Sequence, residues 1–328
     1  MGRIPLLVIG GPTAVGKTAI AISVAEAVSG EIINADAMQI YRHMAIGTAQ
    51  PTAAQRRRVS FHLVDFVDPD QPYSVADFQR DVRQVVTEIA DRGHLPILCG
   101  GTGLYVRAIV EGFRFPPRPT DPGVRRRLET ELRDLGAPAL HERLATLDPT
   151  AALRIHVHDH KRIVRALEVW ELTGRPITQQ QTVDGEQGIP YNAAKFAVDR
   201  PRPALYEAID RRVNEMLAAG WVDEARQLLG KGYSPALQSM QALGYGLLFR
   251  HLKGELDLGE ATLLIQRDTR RLAKRQLTWF RRQAGFTWLS WTHEAEIPQV
   301  VERLVTAAQD LRRVAPEAPT PAGSGDLR

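Results

Sequence analysis

Gly11-Pro-Thr-Ala-Val-Gly16-Lys17-Thr18 is the stretch that decides the fold, because it matches the pattern G-x-x-x-x-G-K-[ST]. An apolar, strand-like run at residues 6–9 precedes it, and a helical pattern at residues 17–28 begins at its end. This strand-loop-helix context is what makes the pattern credible as a phosphate-binding loop. Its glycines let backbone N–H groups surround an anion at a helix N-terminus, and Lys17 adds a positive charge.

The loop predicts a ligand with a di- or triphosphate group, accompanied by Mg²⁺ on the Thr18 hydroxyl. A tight turn that binds nothing is the structural alternative, and the match in its proper context disfavours it. The loop does not identify the phosphate compound. An ATPase or a kinase is the ordinary candidate, yet the apolar run LPILCGG at residues 95–101 ends without an acidic residue for the second magnesium position.

Alternating patterns on either side of this loop predict an α/β fold with a parallel sheet. Strand-like runs lie at residues 6–9, 31–34, 62–66 and 96–99, with helical patterns at 17–28 and 74–92. We therefore predict a core like that of the P-loop NTPases over residues 1–114 and 190–313. Residues 195–199 are expected to add a strand, and the rest of the chain to be helical up to about residue 314.

A break at residues 115–123, FPPRPTDPG, predicts the start of an inserted all-helical subdomain over residues 115–189. Asp121 is placed as an N-cap, and Gly136 as a helix stop. In residues 159–172, apolar side chains share one face while Lys161, Arg162 and Arg165 lie mostly off it. Residues 314–328 are too poor in apolar side chains to order themselves, so a disordered tail is expected there.

The composition limits the class of protein. One cysteine, Cys99, in 328 residues excludes an internal disulfide framework and a multi-thiolate metal site, which favours the cytoplasm. The apolar run at the N-terminus ends at Gly10, too short to span a membrane, so no membrane partner is expected. The net charge is +4, and arginines cluster at residues 56–58, 125–127 and 270–282. Such patches suit a polyanionic partner.

Several further blocks resemble the tRNA dimethylallyltransferase family, in order and across nearly all of residues 5–283. The blocks are Asn34-Ala-Asp-Ala-Met-Gln-Ile-Tyr41, Ile46-Gly-Thr-Ala-Gln-Pro51, Gly100-Gly-Thr-Gly-Leu-Tyr105, His160-Lys-Arg-Ile-Val-Arg165, Ala242-Leu-Gly-Tyr245 and Thr269-Arg-Arg-Leu-Ala-Lys-Arg-Gln276 with Thr278-Trp-Phe280. The resemblance implies transfer of a dimethylallyl group from dimethylallyl diphosphate to N6 of the adenine 3′ of the anticodon. It also implies that the inserted helices hold the tRNA anticodon stem-loop.

The resemblance implies a set of site residues. Diphosphate contacts are expected from Gly11, Pro12, Thr13, Ala14, Val15, Gly16, Lys17, Thr18 and Arg212. Contacts to tRNA are expected from Asp36, Ala37, Met38, Gln39, Thr102, His160, Lys161, Arg162, Ile163, Val164, Arg165, Gln241, Gly244, Tyr245, Arg270 and Lys274. Asp36, Thr18 and Thr102 are the expected catalytic residues, Mg²⁺ on Thr18 is the expected cofactor, and a monomer is the expected state.

The chemistry implied by this family suits Asp36. An exocyclic adenine amine is a poor nucleophile, so a carboxylate that orients it and removes its proton assists the reaction. On spacing alone Asp36 could equally be a helix N-cap or an acidic group beside magnesium, and the resemblance favours the role of base. Thr102 could contact the amine or line the donor channel, while its neighbouring glycines could simply permit a sharp turn.

Two positions depart from the family pattern. Ala37 stands where serine is common, and Ala208 stands where an arginine is expected. The second departure removes one cationic contact to the diphosphate, which Arg211 or Arg212 could replace.

Three rival functions remain open on the sequence. A small-molecule P-loop kinase would share the phosphate loop and would produce ADP from ATP. A prenyltransferase acting on free adenine nucleotides would need no basic helical insertion. A non-catalytic RNA-binding protein would not need Lys17, Thr18 and Asp36.

Overall fold

The computed structural model of the protein describes residues 3–112, 121–180 and 189–314. The chain divides into two compact units, one with residues up to Val110 and from Pro190 onward, the other Glu111–Ile189. Of the tail predicted to be disordered, residues 315–328 lie outside the described residues.

A six-stranded parallel sheet forms the centre of the larger unit, which confirms the predicted α/β class. Its strands are β1 Ile4–Gly10, β2 Gly30–Asn34, β3 Phe61–His62, β4 Leu95–Gly100, β5 Tyr191–Asp199 and β6 Thr287–Ser290, in the spatial order β3-β2-β4-β1-β5-β6. Gly10 pairs with Gly100 and Asn34 with Cys99. The carboxyl ends of β1, β2 and β4 therefore lie side by side, and so do the loops that follow them.

Helices cover this sheet. They are α1 Lys17–Val28, α2 Ala53–Arg58, α3 Val75–Asp91 and α4 Gly103–Val110 before the second unit, with α9 Arg202–Ala218, α10 Trp221–Gly230, α11 Tyr245–Leu252, α12 Leu258–Arg281 and α13 Ile297–Val314 after it. Leu7 and Ile9 of β1 share a buried core with Ile20 of α1 and Leu304 of α13. Burial of these apolar side chains is the main force that holds the helices on the sheet.

Two predictions about strands were wrong. The strand predicted at residues 62–66 ends at His62, because Leu63 and Asp65 have φ of 57° and 60°, in the left-handed region that a strand cannot contain. Strand β6 was missed, since the chain after residue 199 was expected to be helical up to about residue 314. Its four residues include one buried side chain, Leu289, which is too little pattern to distinguish a strand from a helix.

The secondary-structure elements described in the second unit are all helices, namely α5 Pro122–Leu147, α6 Pro149–Arg154, α7 His160–Thr173 and α8 Ile177–Gln180. The Asp121 carboxylate accepts a hydrogen bond from the Gly123 N–H at 2.7 Å, which confirms the predicted N-cap. Gly136, with φ 83° and ψ 164°, interrupts α5 where a helix stop was predicted. Leu128 and Leu144 of α5 pack against Ile163 and Leu167 of α7 in a separate core.

None of the helices in the described parts of the chain combines the length and the apolar character needed to cross a membrane.

Candidate active site

The loop between β1 and α1 has the backbone of an anion cradle. Gly11, Ala14 and Gly16 all have positive φ, at 144°, 60° and 93°. A Cβ at Gly11 would lie 2.5 Å from the Val198 carbonyl oxygen, so the end of β5 passes too close for any side chain there. The loop therefore curls tightly at the edge of the sheet before α1 begins, with its helix N-terminus facing the enclosed space.

Two cations lie near this cradle without a carboxylate partner. Lys17 Nζ donates a hydrogen bond to the Pro12 carbonyl at 2.5 Å, and neither Lys17 nor Arg212 forms an ion pair with any described residue. Burial lowers the pKa of Lys17 to about 8, with Asp36 and Cys99 opposing the shift and Arg212 adding to it. Burial likewise lowers the pKa of Arg212, while Asp36 opposes that change. Desolvated cations in this state bind anions strongly.

Asp36 and Thr102 follow β2 and β4 and are linked by the backbone between them. The Ala37 N–H donates to Thr102 Oγ1 at 3.0 Å, and the Thr102 N–H donates to the Ala35 carbonyl at 3.1 Å. Asp36 Oδ1 accepts from the Met38 N–H at 2.9 Å. Its other carboxylate oxygen has no hydrogen bond from the described residues. Asp36 thus forms a local turn of the kind a cap would form, and it keeps one oxygen available.

Gln39 has its side-chain amide committed within its own loop. Its Nε2 donates to the Thr48 and Ala49 carbonyls at 3.1 and 3.0 Å. Only its carbonyl oxygen remains for a substrate, so Gln39 shapes the loop of residues 38–50 as much as it could contact a base. Met38, beside it, is half-buried.

Glu224 anchors the same loop and was missed by the sequence analysis. Its carboxylate accepts from the Ile46 and Gly47 N–H groups at 2.7 and 2.9 Å and from the Tyr245 hydroxyl at 2.6 Å. Burial, with this carboxylate adjacent, raises the pKa of Tyr245. Nothing in the sequence could have revealed Glu224, because an acidic residue in the first turn of a helix such as α10 is common.

Other residues expected to contact tRNA lie around this anchor. Tyr245 is fully buried, and Gly244, with φ 98°, packs against the Trp221 ring, where a Cβ would lie 2.3 Å from the nearest carbon. Tyr245 supports the loop through its bond to Glu224, and Gly244 leaves room for the Trp221 ring. Gln241 is exposed.

Helix α12 contributes Gln276, a second residue missed from the sequence. Its Oε1 accepts from the Thr13 N–H at 2.8 Å, and its Nε2 donates to the Gly101 carbonyl at 3.0 Å. Thr13 was expected to contact the diphosphate, and its backbone N–H is already hydrogen-bonded to Gln276.

In the second unit, the segment His160–Arg165 divides between core and surface. His160, Lys161 and Arg162 are exposed, whereas Ile163 and Val164 are buried in the core of the unit. The side chains of those two residues pack in the core of the unit, so they support the exposed side chains that precede them. Arg165 is committed as well, because it forms an ion pair with the buried Glu168 carboxylate at 2.8 Å.

Two basic residues of α12 differ in whether a carboxylate already pairs with them. Arg270 donates to both carboxylate oxygens of Asp210 at 2.6 and 2.7 Å. Lys274 is exposed, and no described carboxylate forms an ion pair with it. Lys274 therefore fits a contact to an external phosphate better than Arg270 does.

The departure at Ala208 is accommodated in α9. Ala208 is 6% exposed and packs in the core. One turn on, Arg211 is exposed and forms a loose ion pair with Glu215 at 3.8 Å. Arg212, the alternative substitute, is partly buried and within electrostatic reach of Asp36 and Lys17. Of the two arginines that could replace the one missing at Ala208, Arg212 is therefore the one near the cradle.

Family models and sequence relatives of this chain point to a single family. The model described as IPP transferase matches residues 39–283, and the model described as isopentenyl transferase matches residues 4–64. The chain is 46% identical over 308 residues to the tRNA dimethylallyltransferase of Syntrophobacter fumaroxidans, covering 94% of this chain and 89% of that one. It is 47% identical over 312 residues to that of Moorella thermoacetica, covering 94% of both chains.

Solved structures show the same fold. The tRNA isopentenylpyrophosphate transferase of Bacillus halodurans has 39% identity and a TM-score of 0.70, covering 95% of this chain and 99% of that one. A eukaryotic dimethylallyltransferase described as acting on tRNA has a TM-score of 0.80 at 23% identity, covering 95% of this chain and 80% of that one, a likeness of fold alone. On the length and level of these matches, the chain belongs to the tRNA dimethylallyltransferase family.

Proposed function

We propose that this protein transfers a dimethylallyl group from dimethylallyl diphosphate to N6 of the adenine immediately 3′ of the anticodon in tRNA. The observation that carries the proposal is the neighbourhood at one edge of the sheet. An anion cradle with two unpaired cations, Lys17 and Arg212, lies within electrostatic reach of Asp36, whose carboxylate keeps one oxygen available. Prenyl transfer needs a site for a leaving diphosphate next to a group that receives a proton.

The phosphate loop serves a leaving group in this reaction. As the bond between C1 of the prenyl group and the diphosphate oxygen breaks, negative charge grows on the diphosphate. Lys17, Arg212 and the free N–H groups of the loop stabilise that charge without reorganising. No phosphoryl group is transferred, so an acidic residue at the end of β4 is not required, and β4 ends in Cys99 and Gly100.

Magnesium fits this donor set. The described residues contain no cluster of three or more His, Cys, Asp or Glu side chains suited to a metal. Mg²⁺ is commonly held by one or two protein oxygens together with substrate phosphates and water, and the Thr18 hydroxyl at the start of α1 is such an oxygen. When bound, the ion would neutralise the leaving diphosphate. Chelation is expected to abolish turnover, and added Mg²⁺ to restore it.

Asp36 is the proposed base. Its available oxygen would accept a hydrogen bond from the adenine N6–H and take that proton as the new C1–N6 bond forms. The products are then the prenylated base, the free diphosphate and a proton on Asp36. Thr102 holds Asp36 in place through the Ala37 N–H, so its hydroxyl acts on the orientation of the base even without touching the amine.

Binding of tRNA requires that the adenine leave the stacked anticodon loop, since the amine is unreachable while stacked. We propose that Lys161 and Arg162 of α7 and Lys274 of α12, all of them exposed, contact backbone phosphates, with Arg162 giving up its exposed ion pair to Asp159 at 3.4 Å. Arg165 and Arg270 would instead act through the carboxylates that they hold. The relatives named above are tRNA enzymes, and such a substrate supports a cytoplasmic location.

A direct test incubates the purified protein with Mg²⁺, dimethylallyl diphosphate and unmodified tRNA that carries adenine 3′ of its anticodon. The tRNA is digested and its nucleosides are weighed. We expect the prenyl mass on that adenosine, dependent on all three components. No product with tRNA, together with prenylation of AMP or with ATP-dependent phosphorylation of a small acceptor, would replace the proposal with one of its rivals.

A further inference from the structure

Helix α12 packs against the end of β1, the start of α4 and the loops that follow β1 and β4. Three glycines make room for it, because a Cβ at Gly10, Gly101 or Gly103 would lie only 2.3, 2.4 or 2.2 Å from α12 side chains. The side chains concerned are Phe280, Gln276 and Trp279, respectively. The missing side chains allow a contact between helix and loops too close for any other residue.

Gln276 is the polar member of this contact, and it bridges the two loops. Thr13 and Gly101 belong to different loops, and each gives one backbone group to the same side-chain amide. The two hydrogen bonds use opposite ends of the amide, an acceptor at 2.8 Å and a donor at 3.0 Å. A side-chain amide supplies a donor and an acceptor on two different atoms while remaining uncharged, and both are used here.

The two loops carry different halves of the proposed reaction. The loop with Thr13 cradles the diphosphate, whereas the loop with Gly101 continues to Thr102, which holds the backbone beside Asp36. Each loop also has its own contacts, the Lys17 bond to Pro12 in the first and the Thr102 bond to Ala35 in the second. The pairing of Gly10 with Gly100 sets the distance between the loops where they leave the strands. Gln276 adds a second link between them farther out, from Thr13 to Gly101.

We infer that Gln276 is a positioning residue that sets the separation between the leaving-group site and the nucleophile site. The inference rests on the proposed function. Displacement at C1 requires the amine and the diphosphate on opposite sides of one carbon, and a misplacement of about 1 Å can cost about 100-fold in rate. Loss of the bridge should then slow the chemical step and leave each substrate bound as before.

The test compares Gln276→Leu with a matched control, Gln266→Leu, on the same helix. Gln266 is buried, and its amide also reaches another element, the Asp210 carbonyl and Asn214 Oδ1 of α9, at 3.4 and 3.2 Å. Three quantities are measured for both variants and the wild type: the single-turnover rate of prenyl transfer, the affinity for tRNA alone, and the affinity for the donor alone. Thermal unfolding reports the loss of stability.

For Gln276→Leu we expect a single-turnover rate roughly 100-fold lower, with both affinities within about threefold of the wild type. Gln266→Leu should lose stability and keep the wild-type rate. If Gln276→Leu reacts within about threefold of the wild type, or if both variants slow equally, the inference is refuted.

A second variant covers failure of the first to fold. Gln276→Glu keeps an acceptor for the Thr13 N–H and turns an oxygen toward the Gly101 carbonyl, so the bridge breaks at one end. It should slow the chemical step with tRNA affinity unchanged, and a wild-type rate in it would overturn the inference. The wild-type reaction run in parallel separates the two levels: absence of prenyl product there refutes the proposed function, whereas product there with fast variants refutes only the role of Gln276.

Discussion

Raising the pH above 8 is expected to weaken binding of the prenyl donor, because Lys17 then loses its charge. Burial holds the pKa of Lys17 at about 8, so the ammonium that we propose as a diphosphate contact is mostly present at pH 7 and mostly lost at pH 9. The charged fraction falls from about nine-tenths to about one-tenth over this range, and by about tenfold for each further pH unit. Phosphate groups ionise near pH 6, so the donor itself does not change charge here.

The assay measures KM for dimethylallyl diphosphate and KM for tRNA from pH 7 to 9.5 at fixed ionic strength and saturating Mg²⁺. The charged form of Lys17 is the one that binds the anion. The affinity for dimethylallyl diphosphate is therefore complete well below pH 8 and is lost as the pH rises through 8. We expect the donor KM to rise about fivefold to tenfold between pH 7 and 9, with a much smaller change for tRNA. A donor KM that stays flat to pH 9.5 would refute the assignment of Lys17 as a titrating contact.

Three more predictions follow from other parts of the molecule. Asp36→Ala should lower the single-turnover rate by about 100-fold or more with tRNA affinity little changed, and a near-normal rate would remove Asp36 from the role of base. Burial alone would raise the pKa of Glu31, yet hydrogen bonds from Arg92 and two histidines lower it to about 2. Folding therefore favours the charged carboxylate. The stability that this carboxylate contributes is complete above about pH 4.5 and is lost as the pH falls toward 2. Glu31→Gln should therefore cost at most about 3 kcal/mol in the free energy of unfolding at pH 7, and chemical denaturation at pH 7 and pH 3 should show the difference from wild type shrinking with acid. Lys161→Ala should reduce the salt dependence of tRNA binding by about one phosphate contact. Arg165→Ala should instead mainly lower thermal stability, because the buried Glu168 carboxylate loses its close partner. Equal salt slopes for Lys161→Ala and the wild type would show that Lys161 makes no contact with tRNA.

Local patterns in the sequence were sufficient for the scaffold of the site. The phosphate loop was predictable because its function depends on consecutive residues, from Gly11 to Thr18, between a strand and a helix. Asp36 and Thr102 were predicted to follow strands, and the parallel sheet brings the ends of those strands to one edge. Those elements need no knowledge of distant contacts.

Contacts between distant parts of the chain were not predictable. Thr13 and Gln276 are 263 positions apart, and Gly47 and Glu224 are 177 apart. A glutamine in a helix carries no signal that its amide enters a loop, because the pattern of the helix reports only which face is apolar. The local strand β6 was missed for a different reason, since four residues with one buried side chain carry too little periodicity.

The ion-pair partners of the basic residues could not be predicted from the sequence either. Arg165 and Arg270 were grouped with Lys161 and Lys274 as cations for RNA, since all lie on basic helices. Only the fold reveals that each of the two arginines is already held by a carboxylate, one three residues away on the same helix and the other 60 positions distant. Exposure and pairing, more than residue type, therefore separate candidates for phosphate contacts from structural ion pairs.

The most direct test of the account measures, in one turnover, both the prenyl group gained by tRNA and the diphosphate released. Enzyme in excess is mixed with Mg²⁺, tRNA and dimethylallyl diphosphate carrying one label in the prenyl group and another in the phosphate. The account predicts one released diphosphate for each prenyl group on the adenine 3′ of the anticodon, with no phosphate label on the RNA. Phosphate label on tRNA, or diphosphate released at the same rate without tRNA, would contradict the claim that the phosphate loop serves a leaving group in prenyl transfer.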